Sequence, residues 1–396
     1  MSMLEVLGAA SATGKTTYGR TPIYQMRISG SALEVNVQSA TINMGEDMHD
    51  TITMTVSSAD RTTTEGLVDQ TISFLYGNSG KTEVFSGFIT EVAEQQNSTG
   101  VLTWSMSIVG PTKPMQTGVP RFWTNRSIPS AIESLAYWSY LGYYGHDHTF
   151  IWKTLAQTDI SDWKMAVSLA RRLGWAVYNR YGVVMLLDPL QLFLNQGAVA
   201  TLISETYTLA KNSFNDERTL LEFSPQEESE TSPSQMGIKA AYFNADTVQV
   251  AMQQGVHTNY RFVNNFVIRG PEEAALYVDA IAHDSSNWRH TATARIMGNA
   301  ALFPGMSVDV LTKSSGVAAG KFNGRWLIRS VQHKMDKQSF QSNLTMARPE
   351  GKMMTYSGGY SPFWGSTTRP RPTLTYMAET GSWMSSWTNS IAREVK

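Results

Sequence analysis

The chain of 396 residues carries 32 basic and 33 acidic side chains, a net charge of −1, and no cysteine. Near-neutrality removes the field that would draw in nucleic acid or an anionic membrane, and the lack of cysteine excludes disulfides, thiolate metal sites and a cysteine nucleophile. The length suits two or three domains of about 100–200 residues each, and sparse charge (16%) beside 11 Trp, 16 Tyr and 20 Met suits protein interfaces better than a monomer's surface.

Residues 1–20 read as an N-terminal arm. The stretch GAASATGKTT approaches a phosphate-binding loop, but five residues separate Gly8 from Gly14 where the motif needs four, and Thr17, Tyr18 and Gly19 open no convincing helix. No apolar run is long enough to span a membrane, and the first twelve residues lack the basic start and apolar core of a signal peptide, so the product reads as soluble and not exported. Over 21–116, alternating runs at 23–28, 33–42, 51–56, 71–76, 84–94 and 101–109 predict a first antiparallel β-barrel. Phe85, Gly87 and Phe88 mark a predicted bend in it.

After Pro111 and Pro114 the alternation stops, and 117–205 reads as an α/β insertion. A helix is predicted over 127–141, with Ser130 and Glu133 in capping-box spacing before Ile132, Leu135, Trp138 and Leu141. Residues 159–189 hold the densest pattern in the chain. Ser161 or Asp162 can cap a helix whose apolar positions are Trp163, Ala166, Val167, Ala170 and Leu173, and Gly174 ends it. A hairpin follows, with strands over 175–178 and 183–187 and a turn of Asn179, Arg180, Tyr181 and Gly182. The pattern fades over 190–207.

The acidic, Ser-rich stretch 216–234, with Glu222, Glu227, Glu228 and Glu230, reads as a solvated connection. A second β-barrel is predicted over 206–350, with strands near 235–243, 261–268, 291–297, 306–311, 326–333 and 339–347. One helix interrupts it, begun by Pro271, Glu272 and Glu273 and buried along Ala274, Val278 and Ile281. Residues 351–396 are rich in Gly and Pro, with Trp364, Trp383 and Trp387. They read as a C-terminal extension that docks on a partner, with a short helix over 385–394 as an option. The fold class is thus mainly β: two tandem barrels separated by an α/β region.

The helix and hairpin of 159–189 resemble those of the phage tail hub family, which includes the late control D proteins and the hub part of type VI secretion spikes. The block from Gly298 to Arg348 matches independently. Gly298 precedes a loop, Pro304 and Gly305 turn into a strand, Gly324 and Trp326 open the next, and His333 follows near its end; Phe85 to Ile89 is a weaker match. The resemblance covers most of residues 20–350 and leaves 351–396 outside. It implies barrel, insertion and barrel in that order, and a homotrimeric ring that adapts a sixfold tail tube to a threefold spike or fibre, leaving a channel for DNA. The implied partners are the tail tube or distal tail protein, a spike or fibre protein and the tape measure protein. No sequence-specific nucleic-acid binding or membrane insertion is expected, and the implied location is the virion, after synthesis in the bacterial cytoplasm.

No catalytic, cofactor or metal site is assigned. His333 lacks an accompanying nucleophile or carboxylate and reads as a structural or surface strand residue. His146 and His148 would share one side of a strand, yet two ligands are too few for a metal, and the pair reads as part of a surface loop. Asp159 with Asp162, or Glu227 with Glu230, could stand at glycosidase spacing, although solvated faces explain them more simply and Asp162 suits a helix start. The alternatives to a structural hub are a cell-wall hydrolase of the tail tip, a hub of a contractile injection system and, ranked low, a glycan- or receptor-binding module using the C-terminal tryptophans.

Overall fold

The computed structural model describes residues 22–28, 36–57, 66–78, 81–96, 102–195, 197–203, 219–227, 290–312 and 322–349, isolated strands at 237–244, 247–254, 260–263, 374–377 and 382–385, and scattered positions over 272–288. The arm at 1–20, and most of the extension with its optional helix, lie outside the described residues.

The first half contains β1 (Pro22–Ile28), β2 (Asn36–Gly45), β3 (Thr51–Ser57), β4 (Thr71–Asn78), β5 (Lys81–Gln96) and β6 (Leu102–Val109). Their inward faces alternate as the sequence predicts, with Ile52, Met54 and Val56 buried on β3 and Ile72, Phe74 and Tyr76 on β4. The irregularity in β5 falls between Ile89 and Glu91, after the predicted bend. Gly87 serves closeness instead, since a Cβ there would stand 2.5 Å from the Val109 carbonyl oxygen.

The insertion comprises β7 (Arg121–Arg126), α1 (Ile128–Trp138), β8 (Gly142–Gly145), β9 (Trp152–Gln157), α2 (Asp162–Arg171), β10 (Ala176–Arg180), β11 (Val183–Leu187) and α3 (Pro189–Asn195). Helix α1 is capped by Ser127, whose hydroxyl accepts from the Ser130 amide at 3.3 Å. The cap therefore sits one turn before the Ser130–Glu133 spacing, which falls inside the helix. Ser161 caps α2. Gly174, at φ +69, ends that helix as predicted, with the Trp175 amide returning to the Ala170 carbonyl at 3.1 Å.

The hairpin turn is tighter than the sequence suggests. Only Tyr181 and Gly182 have positive φ, +49 and +77, which is the two-residue turn suited to twisted strands. Asn179 and Arg180 are buried strand residues, not turn residues.

The second half adds β12 (Ala198–Ile203), β13 (Leu220–Glu227), β14 (Gly237–Asn244), β15 (Thr247–Gln254), β16 (Tyr260–Val263), β17 (His290–Met297), β18 (Ser307–Leu311), β19 (Gly324–Asp336) and β20 (Phe340–Arg348). Strand β13 overturns the reading of 216–234 as a solvated connection throughout. Glu222 lies on its outer face, against Arg295 at 3.3 Å, while Leu220 enters the core. Strands β14 to β16 form a sheet of their own. Of the interrupting helix, Glu272, Glu273, Leu276 and Ala280 are described as helical, with Leu276 and Ala280 buried; Ala274, Val278 and Ile281 lie outside the described residues.

The two halves are one sheet. Hydrogen bonding runs β1-β4-β5-β6-β3-β2-β19-β20-β17-β13, with β18 beside β19 and β12 beside β18. The seam is antiparallel, Gly45 opposite Ser330 through Ser39 opposite Asp336. Among the described residues no ladder closes either half into a barrel, and a single core runs from Ile42, Phe74 and Trp104 to Trp326, Ile328 and Met346. The mainly β architecture stands, while closure of the two predicted barrels is absent from these ladders. The sequence reading missed the seam because a period of two says which face a strand buries but not which strand lies beside it.

Candidate functional site

The residues that join these parts are concentrated in the turn at 45–50, reading GEDMHD, and in the hairpin β10–β11. Every residue of β10 is buried because its two faces enter different cores. Val177 with Val184 and Leu186 packs into the insertion core of Trp123, Ile132, Leu135, Trp163 and Leu169. Ala176, Tyr178, Met185 and Leu187 pack with Phe193 of α3 and with Trp288, Leu327 and Ala347 of the second half. An unbroken apolar run such as Val183–Leu187 is the sequence form of a strand covered on both faces.

Three acids of the turn reach β10, and Arg329, Arg171 and Thr112 bring in further elements. The Glu46 carboxylate accepts from Arg329 Nε of β19 at 2.6 Å and from the Tyr178 hydroxyl of β10 at 3.3 Å. Asp47 sits at φ +58, and its backbone amide donates to the Val177 carbonyl at 2.8 Å while its Oδ1 accepts from the Val177 amide at 2.9 Å. Arg171 of α2 donates to Asp47 Oδ2 at 3.1 Å. His49 Nδ1 meets the Thr112 hydroxyl at 2.8 Å, and its ring lies 4.7 Å from that of Trp163. Asp50 Oδ2 accepts from Asn179 Nδ2 at 3.0 Å. At the hairpin tip the Tyr181 hydroxyl donates to Glu83 of β5, and the Arg180 guanidinium lies 3.6 Å over the Phe303 ring. One turn and one hairpin thus fasten three parts of the chain together.

Burial governs the electrostatics of this junction. It raises Asp47 above the usual carboxylate range despite Val177 and Arg171, and lowers His49 to about 4. It pushes Asp50 up to about 8 against the opposing pull of Asn179 and Arg180, and raises Tyr178 well above the ordinary phenol value. The turn resembles a cation site in composition, yet its acids are engaged by Arg329, Arg171, Asn179 and a backbone amide. What the arrangement does is fix the insertion on the sheet.

The residues singled out by sequence lie elsewhere and apart. His333 is fully buried between Tyr76 and Phe340, its Nδ1 2.7 Å from the Ser342 hydroxyl, and burial lowers it to about 4. His146 and His148 flank Trp175 edge-on at 5.8 and 5.7 Å. Each turns Nδ1 to a backbone donor, Asp188 and Phe150 respectively, at 3.2 Å. Among the described residues no third His, Asp or Glu joins them as a metal group. Asp162 is buried against Arg121 and Gln157, while Asp159 is exposed at φ +51. Glu227 lies 3.6 Å from His290, and Glu230 is outside the described residues.

The structure places the family-like block as expected. Gly305, at φ +84, turns the chain into β18, Gly324, at φ +111, opens β19, and Trp326 is fully buried. Gly298 is needed for contact, since a Cβ there would stand 2.1 Å from the Phe340 ring. The insertion also exposes large aromatics: Phe122 is 71%, Tyr137 76% and Tyr140 98% accessible. No described helix is long and apolar enough to cross a membrane.

No family model and no curated protein matches the sequence. Solved structures match at the level of fold. The tail protein from Neisseria meningitidis MC58 is 12% identical with a TM-score of 0.61, over 83% of this chain and 97% of that one. The 43 kDa tail protein of prophage MuSo2 from Shewanella oneidensis is 10% identical with a TM-score of 0.60, over 83% and 98%. The E. coli c3393 protein is 12% identical with a TM-score of 0.57, over 89% and 81%; it is described as a component of the type VI secretion system with structural similarity to the T4 bacteriophage tail proteins gp27 and gp5. The chain therefore shares the fold of these tail proteins, in line with the resemblance read from its sequence.

Proposed function

We propose that this chain is a structural hub of a bacteriophage tail, a homotrimeric ring that joins the sixfold tail tube to a threefold spike or fibre and leaves a channel for DNA. The observation that carries the reading is a fold likeness that spans nearly the whole of two tail proteins, 97% and 98% of their lengths. The mechanism is geometric. Two β halves per chain, within 21–116 and 206–350, give three chains six related faces toward the tube, while the insertion at 117–205 breaks the likeness and reads as threefold. The welded hairpin supports this, because an adaptor must hold its insertion at a set angle under load. The exposed aromatics of the insertion suit contacts with neighbouring chains. The extension at 351–396 is assigned to a partner below or inside the ring, and the tube, distal tail and tape measure proteins complete the partner set.

In this reading the role is non-enzymatic and confined to the virion, and the chain binds no cofactor or metal. The E. coli secretion component supports a second reading, a hub of a contractile injection system, which shares the same ring. Native mass spectrometry of the purified chain tests both: a trimer is the expected result, and a monomer stable at micromolar concentration would remove the ring.

A further inference from the structure

Asp50 and Asn179 are 7% and 8% accessible, and they meet where the β2–β3 turn touches the hairpin. Asn179 Nδ2 donates to Asp50 Oδ2 at 3.0 Å, yet the Asn179 amide oxygen is buried without any donor. Leaving a buried acceptor unpaired costs about 1–3 kcal/mol. An ionised carboxylate only accepts and cannot relieve it; a protonated one donates. Turning the amide over would set its oxygen against Oδ2 and call for the same proton.

We propose that Asp50 carries a proton in the folded chain, and that the resulting acid–amide pair with Asn179 is a pH-sensitive latch between the β sheet and the insertion. The proton resides on Oδ1 and is donated to the Asn179 oxygen, closing a ring of two hydrogen bonds. The other titratable and charged groups around Asp50 fit this assignment. Among the described residues Arg180 is the cation acting on it, and its guanidinium lies over Phe303 and beside Tyr181. Tyr76 from β4 and Tyr181 from the turn are phenols raised by burial, Glu83 from β5 accepts from Tyr181, and the adjoining His49 is held neutral.

Burial outweighs Asn179 and Arg180 and pushes Asp50 up to about 8. The unfolded chain releases this proton in the ordinary carboxylate range, so the latch's contribution declines as pH rises from about 4 to about 8. The inference does not depend on the tail reading.

Asp50→Asn in the full chain keeps the shape and both hydrogen bonds while removing the titration. Its unfolding temperature relative to the native chain is expected to shift upward between about pH 5 and about pH 8. Infrared difference spectra of the native chain should lose a protonated-carboxyl band with a midpoint near pH 8, and the variant should lack that change. A variant destabilised equally at both ends of the range would overturn the proposal in favour of an ionised Asp50 paired with Arg180. If the variant does not fold, the native spectrum decides: no carboxyl titrating above about pH 6 sinks the latch.

Discussion

Tyr140 closes α1 with a residue poorly suited to its backbone. The Leu141 amide returns to the Ala136 carbonyl at 2.9 Å and the Tyr140 amide to that of Tyr137 at 3.0 Å, a helix ending that sets Tyr140 at φ +57. A side chain in that conformation costs about 1–3 kcal/mol, and this one is almost wholly exposed, so packing within the chain returns little. Tyr140→Gly is therefore expected to stabilise the isolated chain by about 1 kcal/mol, read as a higher unfolding temperature. The same substitution should weaken self-association measured by native mass, since an exposed ring held at such a cost belongs to an interface in the proposed ring.

The hairpin and the GEDMHD turn set the connection between elements. Glu46 and Arg329 have side chains 20% accessible, partly screened, so breaking the pair should cost about 2 kcal/mol, below the range for a fully buried pair. A double-mutant cycle of Glu46→Gln and Arg329→Met should return a coupling of about 1–2 kcal/mol by denaturant unfolding. Loss of Glu46 should also speed amide exchange at Val177, whose partner is the neighbouring Asp47. Much of this element was legible beforehand. Trp163 to Leu173 announced α2 by spacing, Gly174 its end, and Val183–Leu187 the second strand of the hairpin. The turn was not legible, because GEDMHD has no periodicity and its acids acquire meaning only when Val177, Asn179 and Arg329 arrive from 129 to 283 positions away. Strands β7 and β9 escaped for a related reason: each is six residues long and, among the described residues, pairs only with the other, so neither carries a long alternating run. Strand β13 hid behind its glutamates, which an edge strand can turn outward.

For the molecule as a whole, acid should act through buried imidazoles. His49, His148 and His333 are each lowered to about 4, by burial first. The folded chain keeps them neutral where the unfolded chain protonates them, so their stability is full above about pH 6.5 and is lost as pH falls to about 4. Three protons taken up on unfolding, less the one that Asp50 holds only when folded, give a slope of up to about 3 kcal/mol per pH unit. Thermal unfolding followed from neutral to acid pH should show it, and His148→Gln should reduce it. A profile flat over that range would mean that the imidazoles protonate within the folded chain.

The seam between β2 and β19 also sets an order of events during synthesis. Asn43 meets Gln332 at 2.8 Å across 289 positions of chain. At about 5–20 residues per second the ribosome needs tens of seconds to deliver the partner. During that interval the nascent first half presents an open edge beside Ile42 and Met44, ready to pair with the same edge of another copy. Chains released before β19 is made would then aggregate, and the yield of soluble protein would depend on completing the second half more than on the stability of the first.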